Sequence, residues 1–207
     1  MAAVQGETGM ANSIKQSLRL FYALWPDDAA RAALMRLQVP ISGRKTRYEN
    51  FHLTLPFLGQ QAADLLPLFK SILADISSPP ITLMVNRIGY FTQKKIAWAG
   101  MNETPAALTA LNDKLIEALR RNNIVFNNQS AFRPHITLAR DAEPPEELPF
   151  DPFVWHCEHA ALIESTNQEE GVVYRVLASH HLGQSEGIAA DSATVIASNQ
   201  NIITETD

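Results

Sequence analysis

Two copies of one four-residue pattern, His52–Leu55 and His135–Leu138, constrain this chain more than any other feature. Both copies have the form His-x-Thr-Leu, with an aliphatic residue at the second position. In a β-strand successive side chains point to opposite faces, so each His shares one face with the Thr two residues on. The aliphatic side chains then face a core. Each copy therefore predicts a strand that presents one imidazole and one hydroxyl together.

A pair of histidines is suited to breaking a phosphodiester without a metal. Imidazole titrates near pH ~6.5, so one ring can take a proton from water while the other, held protonated by an anion, protonates the leaving oxygen. The hydroxyls of Thr54 and Thr137 can donate hydrogen bonds to the phosphate oxygens, where charge accumulates in the transition state. A single strand histidine is more often structural. The duplication favours His52 and His135 as catalytic residues.

Arg140 is a further candidate for holding a phosphate, because a guanidinium can bind two phosphate oxygens at once. It lies five residues after His135, which places it on the opposite face of a regular strand. The sequence therefore predicts that Arg140 reaches the site only if the strand bends or bulges near Ala139.

The charges of the chain are segregated, which points to an anionic partner such as RNA ends or a nucleotide. Residues 1–140 hold 16 of the 17 Lys and Arg residues against 9 acidic ones, a net charge of +7. Residues 141–207 hold one Arg against 13 acidic residues, a net charge of −12. Both motifs lie in the positive part. The candidates for a basic surface are Arg44, Lys45, Arg47, Lys94, Lys95, Arg120, Arg121, Arg133 and Arg140.

The remaining composition predicts a single globular body in the cytoplasm, monomeric and with no membrane span. The 207 residues suffice for one core or two small lobes, and the N-terminus has no secretory pattern. Cys157 cannot form an internal disulfide and is predicted to be buried and inert. We expect no metal, because the motifs have no nearby cluster of acidic residues or cysteines. The histidines predicted to be structural are His156, His159, His180 and His181, and the aromatic residues predicted to lie in the core are Phe51, Phe57, Tyr90, Trp98 and Phe132.

The hydrophobic periodicity predicts an α+β fold in which antiparallel strands form two similar lobes, each with one motif strand. Asp27 and Thr104 are predicted to cap the first and third helices, and Pro67 fits the first turn of the second. Tails are predicted at 1–17 and 184–207, around a body of 18–183. The predicted strands are 18–25, 51–58, 81–89, 95–101, 124–126, a strand from 135, 153–164 and 172–182, and the helices begin near 27, 64 and 104.

Three segments together resemble one family. They are RLFYALWP near the start, NFHLTLPFLG around the first motif and RPHITLARD around the second. With two H-x-T-hydrophobic motifs about eighty residues apart, the chain resembles the 2H phosphoesterase superfamily, specifically the RNA 2′,3′-cyclic phosphodiesterase family once named 2′-5′ RNA ligase. The resemblance implies a bilobal α+β fold with its active site in the cleft between the lobes.

The resemblance also implies a reaction and a set of roles. RNA ending in a 2′,3′-cyclic phosphate would be opened to a 2′-phosphomonoester without a metal or other cofactor. His52 would be the proton donor to the 3′ oxygen and His135 the proton acceptor from water. Thr54, Thr137 and Arg140 would bind the phosphate. Three alternatives remain open: 2′-5′ ligation of RNA, hydrolysis of a small cyclic nucleotide, and a non-catalytic RNA- or nucleotide-binding module.

Overall fold

A computed structural model of the chain describes residues 16–127, 131–146, 150–169 and 171–183. The two predicted tails lie almost wholly outside these described residues. The helices are α1 (Asp28–Gln38), α2 (Leu66–Ala74) and α3 (Ala106–Arg121). The strands are β1 (Ser17–Leu24), β2 (Arg44–Lys45), β3 (Leu53–Ala62), β4 (Ile81–Val85), β5 (Arg87–Phe91), β6 (Ile96–Gly100), β7 (Ile136–Arg140), β8 (Phe153–Cys157), β9 (His159–Gln168) and β10 (Gly171–His181).

The strands form one large sheet and one small one. The large sheet has eight strands in the order β10-β9-β1-β3-β7-β6-β5, with β2 also paired to β7, and β4 and β8 form the second sheet. Every pairing is antiparallel, which confirms the predicted α+β class. The motif strands β3 and β7 are neighbours, joined by the single pair Leu53 and Ile136. The division into two lobes stays a prediction, and one continuous sheet carries both motifs.

Strand β1 shows how the two faces of the large sheet differ. Leu20, Tyr22 and Leu24 pack into the main core, which also contains the apolar faces of all three helices. Phe21 and Ala23 point the other way and pack into a smaller cluster with residues of β9. Because the helices cover one face only, the other face of the sheet is free to carry a site.

The local signals of the first two helices are confirmed. The Asp27 side chain accepts a hydrogen bond from the Ala30 amide at 2.7 Å, so Asp27 caps α1 as predicted. Pro67 lies in the first turn of α2, where its missing N–H costs no helical hydrogen bond. Cys157 is buried, also as predicted, and burial raises the pKa of its thiol.

Two predicted strands are each two strands in the structure. The run 81–89 breaks at Asn86, so that β4 pairs with β8 in the small sheet while β5 pairs with β6 in the large one. The run 153–164 likewise breaks at Glu158, between β8 and β9. A polar residue stands at each break, but one polar residue also occurs inside a continuous strand, so periodicity alone does not show a strand leaving one sheet for another.

Two further predictions are wrong. Residues 124–126 form no strand: the Ile124 amide bonds to the Leu119 carbonyl at 3.0 Å, which caps the C-terminus of α3. Thr104 does not cap α3, because Pro105 occupies the N-cap position and makes no side-chain cap. The short strand β2 was not predicted, since two residues carry no periodic signal.

Among the described residues, no helix combines the length and the apolar character that crossing a membrane requires.

Gly89 on β5 lets the indole of its cross-strand partner Trp98 lie directly on the backbone. A Cβ at Gly89 would lie 2.1 Å from the Trp98 ring. The indole also packs on Phe91 and His135, with ring centroids 5.4 and 6.4 Å away. The missing side chain at Gly89 therefore sets the position of a ring that backs the second motif.

We predict that Gly89→Ala lowers the free energy of unfolding by about 1–3 kcal/mol, the usual cost of overpacking a fitted site. Urea denaturation measures the change. In a Trp98→Leu background Gly89→Ala should cost less, because the smaller side chain makes room for the methyl group. Strict additivity of the two changes would show that the Trp98 ring does not occupy this position.

Candidate active site

A cavity of about 220 Å³ lies on the helix-free face of the large sheet, where β3 and β7 meet. All five site residues predicted from the sequence line it, contributed by the two motifs and the residue that ends β7. Its other described lining residues are Arg19, Phe21, Phe57, Phe91, Lys94, Ile96, Ser165 and Tyr174.

Both histidine rings are held by the same local hydrogen bond. Nδ1 of His52 donates to the carbonyl of Asn50 at 2.7 Å, and Nδ1 of His135 donates to the carbonyl of Arg133 at 2.7 Å. A carbonyl oxygen can only accept, so Nδ1 carries the proton in both rings. Nε2 is thus the nitrogen that gains or loses a proton, and it is available for chemistry in both motifs.

Each imidazole also has an aromatic neighbour at nearly a right angle. The ring of Tyr174 lies 4.9 Å from His52 at an interplanar angle of 83°, and that of Phe91 lies 4.9 Å from His135 at 89°. Phe21 adds a second contact to His52 at 5.0 Å. These contacts restrict ring rotation about the fixed Nδ1 bond.

A β-bulge at Leu138 brings Arg140 to the cavity. Thr137 pairs with Trp98 on β6, and Ala139 pairs with the adjacent β6 residue, Ala97. Two residues on β6 therefore face three on β7, and Leu138 is the extra one. Leu138 and Ala139 are both fully buried, and the alternation then resumes one residue out of phase. Arg140 therefore shares the face of His135 and Thr137, and the predicted bulge is confirmed.

Burial and nearby cations favour the neutral form of both imidazoles. Burial lowers the pKa of His52 to about 4, and the neighbouring His135 and Arg140 act in the same direction. Burial also lowers the pKa of His135, assisted by Arg140 and Lys94. The hydrogen bonds to Asn50 and Arg133 oppose these shifts without reversing them. Both rings of the free protein are neutral near pH 7.

Several cavity residues were missed or misplaced by sequence reasoning. Phe57 was predicted to lie in the core, but it is 36% exposed, lines the cavity and stacks beneath the Arg19 guanidinium at 5.2 Å. Of the nine predicted basic residues, only Lys94 and Arg140 line the cavity. Arg44, by contrast, pairs with Asp141 at 3.4 Å. The missed residues reach the cavity through strand pairing, for which the sequence carries no local signal.

Asn50 connects the His52 ring to two other parts of the fold. It ends a short 3-10 turn, Tyr48–Asn50, and its side-chain Nδ2 donates to the Val172 carbonyl on β10 at 2.9 Å. The turn is held in addition by the buried Arg31, whose guanidinium donates to the Tyr48 carbonyl. Val172 is two residues before Tyr174, the aromatic neighbour of His52. The Asn50 side chain therefore ties the carbonyl that accepts from His52 to the strand that carries Tyr174.

The comparisons with known proteins identify the family. The sequence profile of the 2′-5′ RNA ligase superfamily matches residues 26–169. An Escherichia coli protein named RNA 2′,3′-cyclic phosphodiesterase is 30% identical over 141 residues, which are 66% of this chain and 80% of that protein. A Thermus thermophilus protein of the same name is 31% identical over 190 residues, 82% of this chain and 93% of the other.

Solved structures agree. The crystal structure of E. coli LigT complexed with 3′-AMP superposes with a TM-score of 0.72 at 27% identity, covering 82% of this chain and all (100%) of LigT. The chain belongs to the 2′-5′ RNA ligase superfamily. This confirms the family that the paired motifs predict.

We predict that His52 titrates far below the ordinary histidine range, with a pKa near 4 in the free protein. Its ring loses hydration on folding, and the charged form is the one that this loss penalises. The ¹³C and ¹⁵N shifts of the imidazole, followed by NMR between about pH 3 and 8, measure the titration. A titration midpoint of about 6.5 for His52 would mean that water reaches the ring freely.

We also predict that Asn50→Ala loosens the tautomer of His52. Without the bond to Val172 the 3-10 turn is freer to move its carbonyl away from Nδ1, so the neutral ring should populate both tautomers instead of one. The ¹⁵N shifts of the ring distinguish them. Asn86→Ala is the matched control: it removes one asparagine hydrogen bond, to the Asn102 amide, far from this ring, and should leave the tautomer unchanged.

Proposed function

We propose that this chain is a metal-independent RNA 2′,3′-cyclic phosphodiesterase that opens the cyclic phosphate to a 2′-phosphomonoester. One observation carries the proposal: two imidazoles with the same fixed tautomer line one cavity together with two threonine hydroxyls and a guanidinium. The names of the E. coli and T. thermophilus relatives support hydrolysis of an RNA 2′,3′-cyclic phosphate.

The proposed chemistry needs only the two Nε2 atoms and a water molecule. Nε2 of His135 takes a proton from water as the water oxygen forms a bond to phosphorus. The bond between phosphorus and the 3′ oxygen breaks, and His52 donates its Nε2 proton to that oxygen. The product carries a free 3′ hydroxyl and a 2′ phosphate. Each proton transfer by a well-placed side chain gains roughly 10²–10⁴ in rate.

The other lining residues stabilise the charge on the phosphate in this proposal. The hydroxyls of Thr54 and Thr137 donate to the non-bridging oxygens, and Arg140 can donate two parallel hydrogen bonds. Arg19 and Lys94 add positive charge to the same lining. These interactions strengthen as negative charge accumulates, so they favour the transition state over bound substrate.

The composition of the cavity supports a reaction without a divalent ion. No carboxylate or thiolate occurs among its described lining residues, and three of those residues are cationic. Mg²⁺ and Mn²⁺ prefer oxygen ligands, mostly anionic ones, and a cationic lining repels them. In this proposal the two imidazoles take the proton-transfer roles that a metal-bound water would otherwise supply.

The lowered pKa values make the substrate part of the protonation mechanism. His52 must be protonated to act as donor, yet it is neutral near pH 7 in the free protein. An anionic phosphate beside the ring favours its charged form and raises its pKa. In this proposal substrate binding protonates one of the two rings, and the resemblance to the family assigns the donor role to His52 and the role of the base to His135.

We predict a bell-shaped dependence of kcat/KM on pH with its maximum below ~6.5, because kcat/KM reports the free enzyme and both histidine pKa values are lowered there. The profile of kcat should lie at higher pH, since bound phosphate raises the pKa of the donor. Steady-state rates on a short RNA with a 2′,3′-cyclic end, measured from about pH 4 to 9, test both. Coincident profiles would contradict the protonation of His52 by substrate.

We predict that His52→Ala and His135→Ala each lower turnover by on the order of 10²-fold or more, since each loses one proton-transfer group. Thr54→Val should lose less, because it removes one hydrogen-bond donor. Wild-type hydrolysis should persist in EDTA. The assay separates the 2′- and 3′-phosphate products of the same RNA, and circular dichroism confirms that each variant is folded.

The same assay distinguishes the alternatives. Activity that EDTA abolishes and Mn²⁺ restores would contradict the metal-free mechanism. RNA binding without turnover would favour a non-catalytic module. Joining of RNA ends under the same conditions would favour ligation, and exclusive turnover of a cyclic mononucleotide would favour a small-molecule substrate.

A further inference from the structure

Three metal-ligating side chains meet at the edge of the fold, outside the cavity. Glu158, His159 and His181 each place one nitrogen or carboxylate oxygen so that all three atoms lie within 4.8 Å of one another. All three side chains are exposed. None of them lines the cavity. They come from two places in the chain: Glu158 and His159 are consecutive at the start of β9, and His181 ends β10.

Strand pairing fixes the two histidines against each other. His159 and His181 are direct cross-strand partners in the antiparallel pair of β9 and β10. Their ring centroids are 5.0 Å apart, with the planes at 87°. Directly opposite residues in an antiparallel pair have the closest Cβ atoms in a sheet, so both rings can reach one ion from the same side.

The backbone holds Glu158 beside this pair. Its carbonyl accepts a hydrogen bond from the Leu182 amide at 2.7 Å, which ties the β8–β9 link to the residue after His181. The carbonyl of His159 accepts from the Trp25 amide at 3.2 Å. The positions of the three Cα atoms are therefore set before any ion binds, and only side-chain rotation is left to complete a site.

We propose that Glu158, His159 and His181 form a binding site for a first-row transition-metal ion, with Zn²⁺ the best fit. Two imidazoles and one carboxylate are a ligand set that Zn²⁺ takes in proteins, with water in the fourth position. Ligands on one tetrahedral zinc lie about 3.4 Å apart, so modest rotations of these exposed side chains close the site. Ca²⁺ and Mg²⁺ do not fit, because they require oxygen ligands.

This site is separate from the proposed chemistry. Along β9, His159 is six residues from Ser165, which lines the cavity, a separation of roughly 20 Å at the rise of a strand. An ion there joins the end of the β9–β10 hairpin to the β8–β9 link. The site therefore stabilises the fold, and phosphodiester hydrolysis does not need it.

Isothermal titration of the untagged full chain with ZnCl₂ tests the proposal. Wild type should bind Zn²⁺ saturably at this site. His159→Ala and His181→Ala should each weaken binding by roughly 10–100-fold or more, because even the outer partners of metal ligands contribute that much. Glu158→Gln should weaken it less than either. Zn²⁺ should raise the Tm of wild type but not of the H159A/H181A double variant.

His156→Ala is the matched control. His156 is an exposed histidine on β8 whose ring bonds to Thr82 at 3.2 Å, and its loss should leave Zn²⁺ binding unchanged. Circular dichroism and the melting curve without metal should match wild type in all variants. Absence of saturable binding would overturn the proposal. So would binding that survives in H159A/H181A or that is lost in His52→Ala, since the ion would then be held elsewhere.

Discussion

The site depends on one interaction made twice, the hydrogen bond from His Nδ1 to the carbonyl two residues earlier. It fixes the tautomer because a carbonyl oxygen can only accept a hydrogen bond, so the proton must be on Nδ1. It also makes ring orientation a property of the backbone just before each strand, so whatever holds that backbone holds Nε2, the nitrogen proposed to transfer protons. Asn50 is held by a 3-10 turn and by a hydrogen bond from its side chain to β10. The backbone of Arg133 is restricted by the proline that follows it.

The large sheet allows this arrangement because its two faces are covered differently. The three helices bury one face, and the alternation of β1 leaves Phe21 and Ala23 on the other. Residues far apart in the sequence meet on that face through strand pairing alone. The bulge at Leu138 adds Arg140 to it and leaves Leu138 without a partner on β6. A regular β7 would direct the guanidinium away from the imidazoles.

Local patterns predicted most of the site, and long-range pairing decided the rest. The period-two alternation of each motif placed His52 with Thr54 and His135 with Thr137, and Asp27 marked the start of α1. The breaks at Asn86 and Glu158 were not predicted, because one polar residue within a run does not show that the strand changes sheets. Tyr174 and Phe91 were missed because they reach the cavity only through strand pairing. The pairing of His159 with His181 was missed because only neighbours within one strand could be compared.

In the proposed function, charge more than shape selects a phosphate for the cavity. Three cations and no described carboxylate line it, and burial lowers the pKa of both histidines. An added proton on His52 is unfavourable in the positive cavity of the free protein and becomes favourable once an anion is bound. A neutral ligand would leave His52, the proposed donor, unprotonated and the cations uncompensated. In the proposed mechanism the charge of the substrate therefore completes the acid–base pair, and a molecule without that charge does not activate it.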